Sequence, residues 1–278
     1  MSNFIQIKNI LEKYNKTPKK SLGQNFLIDA GISKKIAGLG ASADYGVLEI
    51  GPGLGILTGE LCGVYKNVAA VEIDRSLEPI LKENLGKFDN LQLIFGDILD
   101  ADLQSLFPGN EKINVCANLP YYITTPIILK LVKCGVKFEN IILMVQKEAA
   151  DKICAETGNA ISVIVSCYGG AKKLFNVPKS SFYPQPQVNS AVVKITRRNT
   201  PAAAPRDEAL MYKVIDAAFR QRRKTLVNAL ASGLNIDKAE ITAIVKTATG
   251  NENIRGEDLD VAAFADISNM IYMIFEGE

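Results

Sequence analysis

Five short apolar runs, most of them separated by stretches with helical spacing, limit what this chain can become. The runs are 46–50 (GVLEI), 67–73 (NVAAVEI), 91–96 (LQLIFG), 113–119 (INVCANL) and 140–146 (NIILMVQ). They are almost wholly apolar rather than alternating, the pattern of strands covered on both faces. Helical spacing at 56–65, 76–86 and 124–133 supplies the covers. Such alternation predicts an α/β fold built on a doubly wound parallel sheet. Two later runs, 172–177 and 190–197, flank a proline-bearing loop and are expected as a strand pair closing one edge of that sheet.

The composition breaks at Asn199–Arg206 (NTPAAAPR), which reads as a linker. Beyond it, 207–231, 237–248 and 258–275 carry helical periodicity, with Gly233 and Gly250 near helix ends. The expected division is a sheet domain over 1–198 and a small all-helical domain over 206–278. A chain of 278 residues with 47% hydrophobic content can bury a core in each. No apolar run approaches the ~18 residues of a membrane span. The basic, amphipathic start lacks the apolar core of a secretion signal, so it reads as a retained cytoplasmic N-terminus.

The chain has no histidine, which excludes Ser-His-Asp and Cys-His nucleophile pairs and a His-ligated zinc site. Its five cysteines form no C-x-x-C pair and are expected as buried, reduced thiols, and no metal site is expected. Net charge is only +2, so attraction to an acidic partner must be local. Two basic concentrations exist. Lys8, Lys13, Lys16, Lys19 and Lys20 lie in the first twenty residues, and Arg220, Arg222, Arg223 and Lys224 fall within five positions. A charge run is usually a solvated face, but the second cluster is also the candidate nucleic-acid contact.

Directly after the first strand comes Glu49-Ile-Gly-Pro-Gly-Leu-Gly55. Gly51, Gly53 and Gly55 permit a tight strand-to-helix turn with no side chain blocking a ligand. The dinucleotide fingerprint G-x-G-x-x-G is not met, because its third glycine position is Ile56. The acid Glu49 is unfavourable beside a pyrophosphate but favourable beside a ligand carrying ammonium and sulfonium groups. That selects S-adenosylmethionine over NAD. Glu72, with Ile73 after it, ends the second strand and is the candidate for both ribose hydroxyls, whereas Asp74 is a candidate helix cap. Asp97 and Ile98 end the third strand and suit the amino group and ring face of an adenine.

The fourth strand runs into Asn118-Leu119-Pro120-Tyr121. The exocyclic amine of adenine is a poor nucleophile because its lone pair is delocalised into the ring. Accepting both amino hydrogens, on the Asn118 side-chain oxygen and the Leu119 carbonyl, localises that lone pair. Pro120 stiffens the turn, and Tyr121 offers a face for a flipped-out base. No strong general base is needed, in keeping with a chain that has no histidine.

These motifs resemble the rRNA adenine N6,N6-dimethyltransferase family, and within it the small-subunit (16S) enzymes linked to kasugamycin sensitivity. The resemblance also rests on Leu22-Gly23-Gln24-Asn25-Phe26-Leu27, Gln146-Lys147-Glu148, Phe182-Tyr183-Pro184-Gln185-Pro186-Gln187-Val188-Asn189-Ser190 and Phe219-Arg220-Gln221-Arg222-Arg223-Lys224-Thr225-Leu226. It implies a Rossmann-like class I methyltransferase sheet. Asn25 and Leu27 would contact S-adenosylmethionine, with Gln24 beside them. The methionine end would lie at the loop around Gly51, the ribose at Glu72 and the cofactor's adenine at Asp97 and Ile98. Asn118 would face both cofactor and target, and Phe182 would sandwich the target base against Tyr121. The implied product is two adjacent dimethylated adenines in the 3′-terminal hairpin of 16S rRNA, made by a monomer on the immature small subunit. The macrolide-resistance enzymes, which methylate one adenine of large-subunit rRNA, share the cofactor and base motifs, while the F-R-Q-R-R-K-T-L segment and helical tail look more like the small-subunit enzymes. An assembly factor that has kept the fold is the remaining alternative.

Overall fold

Strands that are apolar on both faces need cover on both, and the computed structural model shows where this chain finds it. The structure describes residues 3–109, 112–199, 203, 205–221 and 223–276. It divides into two compact units, Met1–Asp151 with Lys172–Arg197, and Lys152–Ala171 with Arg198–Glu278.

The chain begins α1 (Asn3–Lys13), β1 (Phe26–Leu27), α2 (Ala30–Ala37), β2 (Gly46–Ile50), α3 (Ile56–Cys62), β3 (Asn67–Glu72), α4 (Glu78–Leu85) and β4 (Leu91–Phe95). It continues β5 (Ile113–Asn118), α5 (Thr124–Lys133), β6 (Phe138–Gln146), α6 (Lys147–Ile153), α7 (Ala160–Tyr168), β7 (Gly169–Val177), β8 (Phe182–Tyr183) and β9 (Ser190–Arg197). Seven strands form one sheet in the order β4-β3-β2-β5-β6-β9-β7. Neighbours from β4 to β6 are parallel, and β9 runs antiparallel to β6. The two runs expected at a sheet edge, 172–177 and 190–197, are β7 and β9, and they do close that edge.

The strand order reverses at β2, which pairs with β3 on one side and β5 on the other. Connections diverge at such a switch point and leave a crevice beyond the carboxyl ends of the strands. Register decides what lines it: Ile50 lies opposite Val71 and Ala117, so Gly51, Glu72 and Asn118 emerge side by side.

Two apolar clusters hold these elements. One gathers Ile36 and Ala37 of α2, Leu57 and Leu61 of α3, and sheet residues such as Val47, Val68, Cys116 and Ile142. The other gathers Ile7 and Leu11 of α1 with Leu54, Leu77, Ile80, Leu81 and Leu85. Burying a side chain such as Ile7 or Leu11 stabilises the fold by about 1.5–3 kcal/mol, which anchors the N-terminal helix to α4. Of the five cysteines, Cys62 and Cys116 are buried as expected, but Cys134, Cys154 and Cys167 are only half-buried. Among the described residues no helix is long and apolar enough to cross a membrane.

The second unit contains α7, α8 (Glu208–Arg220), α9 (Leu226–Leu234), α10 (Lys238–Thr249) and α11 (Val261–Glu276). The helical run 207–231 is two helices, because the Thr225 hydroxyl accepts the Asn228 N–H and caps a new start. The apolar spacing persists across the break because α8 and α9 share one core. One sequence expectation is corrected here. The segment 152–171, expected with the sheet domain, groups instead with the helices. The reason lies in α7, whose buried Ser162, Val163, Ile164 and Val165 form a continuous run that needs cover on more than one side, and α8 and α11 provide it.

Gly233 lies in the last turn of α9, where an added Cβ would stand 2.6 Å from the Ala217 Cβ on α8. Replacing glycine by alanine within a helix ordinarily gains about 1 kcal/mol. Here the clash forces α8 and α9 apart, and overpacking costs about 1–3 kcal/mol. Gly233→Ala is therefore expected to lower the thermal midpoint, and a raised midpoint would show that the helices separate freely.

Candidate active site

The glycine loop follows β2 because the backbone must turn out of the sheet within a few residues. Gly51 has φ +71°, a conformation costly for any residue with a Cβ, and a Cβ there would meet nothing within 4 Å. The empty space is a cleft of about 570 Å³ lined by Leu22, Gly23, Gln24, Asn25, Phe26, Gly51, Gly53, Glu72, Ile73, Asn118, Leu119, Pro120 and Tyr121. A smaller cavity of about 370 Å³ shares Phe26, Gly51, Gly53 and Asn118, and adds Leu27 and Glu49 among others. Most of the residues expected at the cofactor and target sites thus converge on one crevice.

Two carboxylates stand at its floor. Glu72 is 4% exposed, and burial pushes its carboxyl upward. The N–H groups of Gly53 at 3.0 Å and Asp74 at 2.8 Å oppose that rise, one on each oxygen. A carboxylate has about four lone-pair positions, so with the Ile73 N–H also bonded to it Glu72 retains capacity for one further donor. Glu49 is 1% exposed, and burial pushes its carboxyl up to about 8. The nearby Thr58 hydroxyl opposes the rise and the Glu72 charge adds to it. Glu49 Oε2 and Thr58 Oγ1 are both buried without a hydrogen-bond partner. A buried orphan oxygen costs about 1–3 kcal/mol, or more when charged, so its presence marks a place where a ligand's donor fits.

The segment before α2 straps over the crevice. Asp74 accepts from the Ser76 N–H and caps the short helical turn Arg75–Leu77, as expected, but it also receives Lys19 Nζ at 2.6 Å and Gln24 Nε2 at 2.8 Å. Burial pushes the Asp74 carboxyl up, and the bonds from Lys19, Ser76 and Gln24 outweigh it and hold it low. Gln24 Oε1 is taken by the Lys19 N–H at 2.8 Å. Gln24 therefore lines the cleft as a latch, with both its polar ends committed to the protein. Lys19 was not singled out individually in the sequence, because a latch between distant residues leaves no local pattern.

Asn118 ends β5, and its Nδ2 donates to the Asn25 carbonyl at 3.1 Å. A carbonyl can only accept, so this bond fixes which way round the amide lies and leaves Oδ1 without a protein donor among the described residues. The Leu119 N–H donates to the Met144 carbonyl at 3.1 Å, which locks the turn. Tyr121 is half-buried, and its hydroxyl lies 3.2 Å from Ser190 Oγ. Burial pushes the Tyr121 hydroxyl up and Ser190 opposes it, so the ring presents a neutral face at physiological pH.

Other expected residues lie apart from the cleft wall. Asp97 and Ile98 follow β4, one strand beyond Glu72, and the Gly96 N–H donates to the Glu72 carbonyl at 2.9 Å. Asp97 Oδ1 accepts the Leu99 N–H in a tight turn, and Ile98 is buried. Phe182, expected against the target base, is 3% exposed and packs in the cluster containing Leu27, Ile36 and Val192. The cause is the β1–β8 ladder, which pairs Phe182 with Leu27 and turns its ring inward. In the second unit Arg220 pairs with Asp216 at 2.5 Å, and Arg223 and Lys224 are exposed. Arg222 lies outside the described residues. Among the described residues no group of three metal-ligating His, Cys, Asp or Glu side chains is assembled.

The sequence model of the ribosomal RNA adenine dimethylase family matches residues 15–272. The chain is 42% identical to the ribosomal RNA small subunit methyltransferase A of Bacillus licheniformis, over 96% of each chain. It is 43% identical to the protein of the same name from Bacillus pumilus, again over 96% of both. Among solved structures it is similar to a dimethyladenosine transferase from Plasmodium falciparum, with TM-score 0.71, 26% identity and coverage of 90% of this chain and 97% of the other. It shares its fold with the 23S rRNA methyltransferase ErmE, at TM-score 0.65 and 23% identity, covering 89% of this chain and 100% of that one. With a crevice at the switch point, a buried carboxylate pair beneath it and an oriented asparagine at its edge, this chain belongs to the ribosomal RNA adenine dimethylase family.

Proposed function

We propose that this protein transfers methyl groups from S-adenosylmethionine to the N6 amino groups of two adjacent adenines in the 3′-terminal hairpin of 16S rRNA, acting as a monomer on the immature small subunit. The observation that carries the chemistry is the oriented Asn118 amide beside the glycine loop. The crevice residues fit S-adenosylmethionine: the orphan Glu49 oxygen suits its ammonium, Glu72 has a lone pair left for a ribose hydroxyl, and Gly51 leaves room for its body. Asp97 and Ile98, at the adjacent strand tip, are assigned its adenine. When bound, the group supplies an electrophilic methyl on a positively charged sulfur.

The chain's own residues do the rest by position. Asn118 Oδ1 accepts one hydrogen of the target amine, and the Leu119 carbonyl accepts the other. Both acceptors pull the nitrogen toward a pyramidal geometry and aim its lone pair along one line. Asn25 holds the Asn118 amide in the accepting orientation throughout. Tyr121 carries the extruded base on its ring, and Ser190 fixes the ring's rotation. The proton released after transfer leaves to solvent, which requires no base of the protein. Phe182 reaches the second face of the base only if the side chains covering it move aside. Arg220, Arg222, Arg223 and Lys224 are assigned to phosphate contact, which positions the hairpin without reading its sequence.

The test is mass spectrometry of adenines in the small-subunit rRNA of cells lacking the protein. Dimethyladenine in the terminal hairpin should disappear, return with the native gene, and stay absent with Asn118→Ala, whose cofactor binding should persist. Dimethyladenine that survives the deletion would remove the assignment.

The two aromatics separate on purified variants. Tyr121→Leu should cost about 1–3 kcal/mol of base stacking, seen in turnover and RNA affinity with cofactor affinity retained. Phe182→Leu should first lower the melting temperature. If it also lowers turnover beyond what lost stability explains, the ring swings out to meet the base.

Glu49 gives the cofactor site a pH dependence of known sign. Its carboxyl, pushed up to about 8, is neutral below that pH in the ligand-free protein. A bound cation favours the carboxylate, so binding below pH 8 expels a proton, and affinity should climb between pH 6 and pH 8. The climb ends where the ligand's α-amino group, with pKa about 7.7–8.0, loses its own charge. Calorimetry in buffers of differing ionisation enthalpy reads the released proton directly. Glu49→Gln should abolish the release, and an unchanged release would place the titrating group elsewhere.

A further inference from the structure

Two motifs take no part in the chemistry above, Gln146-Lys147-Glu148 at the end of β6 and Gln187-Val188-Asn189 before β9. Distant in sequence, they meet with Lys179 around a solvent-open cavity of about 730 Å³. Its shape is fixed by Asn189, whose carbonyl accepts the Lys147 N–H at 3.1 Å and whose Oδ1 accepts the Lys179 N–H at 3.0 Å. Gln146 is the ladder partner of Ser190, and Ser190 Oγ lies 3.2 Å from the Tyr121 hydroxyl. The cavity therefore adjoins the stacking tyrosine through a single residue.

Its lining is chemically mixed. Lys179 forms no ion pair among the described residues. Lys147 has only a loose one, 3.6 Å from Asp151, whose carboxylate is also bound by Lys173. The two cations face a single acid, Glu148. The Gln146 and Gln187 amides can each donate and accept, as a base edge requires, and Val188 leaves 45% of its surface exposed.

We propose that this cavity receives the nucleotide flanking the target adenine, with its phosphate at Lys147 and Lys179 and its base against Val188 and the two glutamines. The inference rests on the reading of this protein as an RNA-methylating enzyme. An extruded base remains covalently tied to a strand that continues past the cleft. The next phosphate must lie near Tyr121, and two lysines there release its counterions. Base contacts at the same place constrain which sequence follows the target.

The test uses the whole protein and immature small subunits whose terminal hairpin is a ligated synthetic RNA. The double variant Lys147→Ala, Lys179→Ala should raise KM for the RNA roughly tenfold, the scale of a charged contact, with kcat and cofactor affinity held. The slope of log affinity against log salt should flatten by about 0.7–0.9 for each phosphate that the variant no longer neutralises. Lys66→Ala, at the opposite end of β3, removes a similar charge and should do neither. Hairpins carrying one neutral methylphosphonate on either side of the target adenine then locate the phosphate. One of them should cost the wild-type protein affinity and cost the double variant nothing further. A wild-type enzyme that methylates the hairpin while the double variant keeps its KM and salt slope overturns the cavity alone. So does a methylphosphonate penalty equal in both proteins. A wild-type protein that does not methylate the hairpin overturns the proposed function and the cavity with it.

Discussion

The pairing of β2 with both β3 and β5 is the constraint from which the site follows. Because both partners are parallel to β2 and in register, three strand ends finish at one level. The backbone must then leave the sheet in diverging directions, and the space between the departing chains cannot be filled by either connection. Gly51, Glu72 and Asn118 border that space because each is the next residue, or the last, on its strand. A slip of one residue in the β2–β5 register would turn Asn118 toward the other face of the sheet.

Placing two carboxylates under this crevice is costly, and the fold handles the two differently. Glu72 is held by the backbone N–H groups of Asp74, Gly53 and Ile73, so much of its desolvation is offset in the ligand-free protein. Glu49 lacks that support and keeps an unpartnered oxygen. Its raised pKa also has a consequence for stability. Between the ordinary carboxylate pKa and about 8 the folded chain binds more protons at Glu49 than the unfolded chain does. This residue therefore makes the ligand-free protein less stable as pH rises through that window. Asp74 runs the other way: its lowered carboxyl contributes stability above its unfolded pKa, lost as pH falls through the still lower folded one. A ligand bearing a positive charge relieves Glu49 and leaves Asp74 unchanged.

The strap formed by residues 19–27 shows how a wall of the cleft is built from outside the sheet. α1 is anchored by apolar burial against α4, and Lys13 and Tyr14 both reach Glu83. Those surface ion pairs add little by themselves, because exposed pairs are worth about 0–1 kcal/mol. The half-buried latch of Lys19 and Gln24 on Asp74 lies nearer the ligand space and sets where Asn25 falls. Asn25 in turn orients Asn118 through its backbone. The orientation of the Asn118 amide thus depends on a segment some ninety residues earlier in the chain.

The sheet is legible in the amino-acid order alone, because apolar runs covered on both faces have few other ways to bury themselves. So are the glycine loop and the N-L-P-Y turn, where glycine, proline and amide chemistry act over adjacent positions. Helix starts with side-chain caps are legible in part, although a continuous apolar spacing hides the cap at Thr225. Tertiary structure decided what depends on contacts between distant residues. It turned Phe182 inward through a two-residue ladder with Leu27, committed Gln24 to Asp74, moved the 152–171 segment to the helical unit, and gathered Lys147, Lys179 and Gln187 around one cavity. Periodicity reports how a segment buries its own face, and only the packed chain settles which other segment it is buried against.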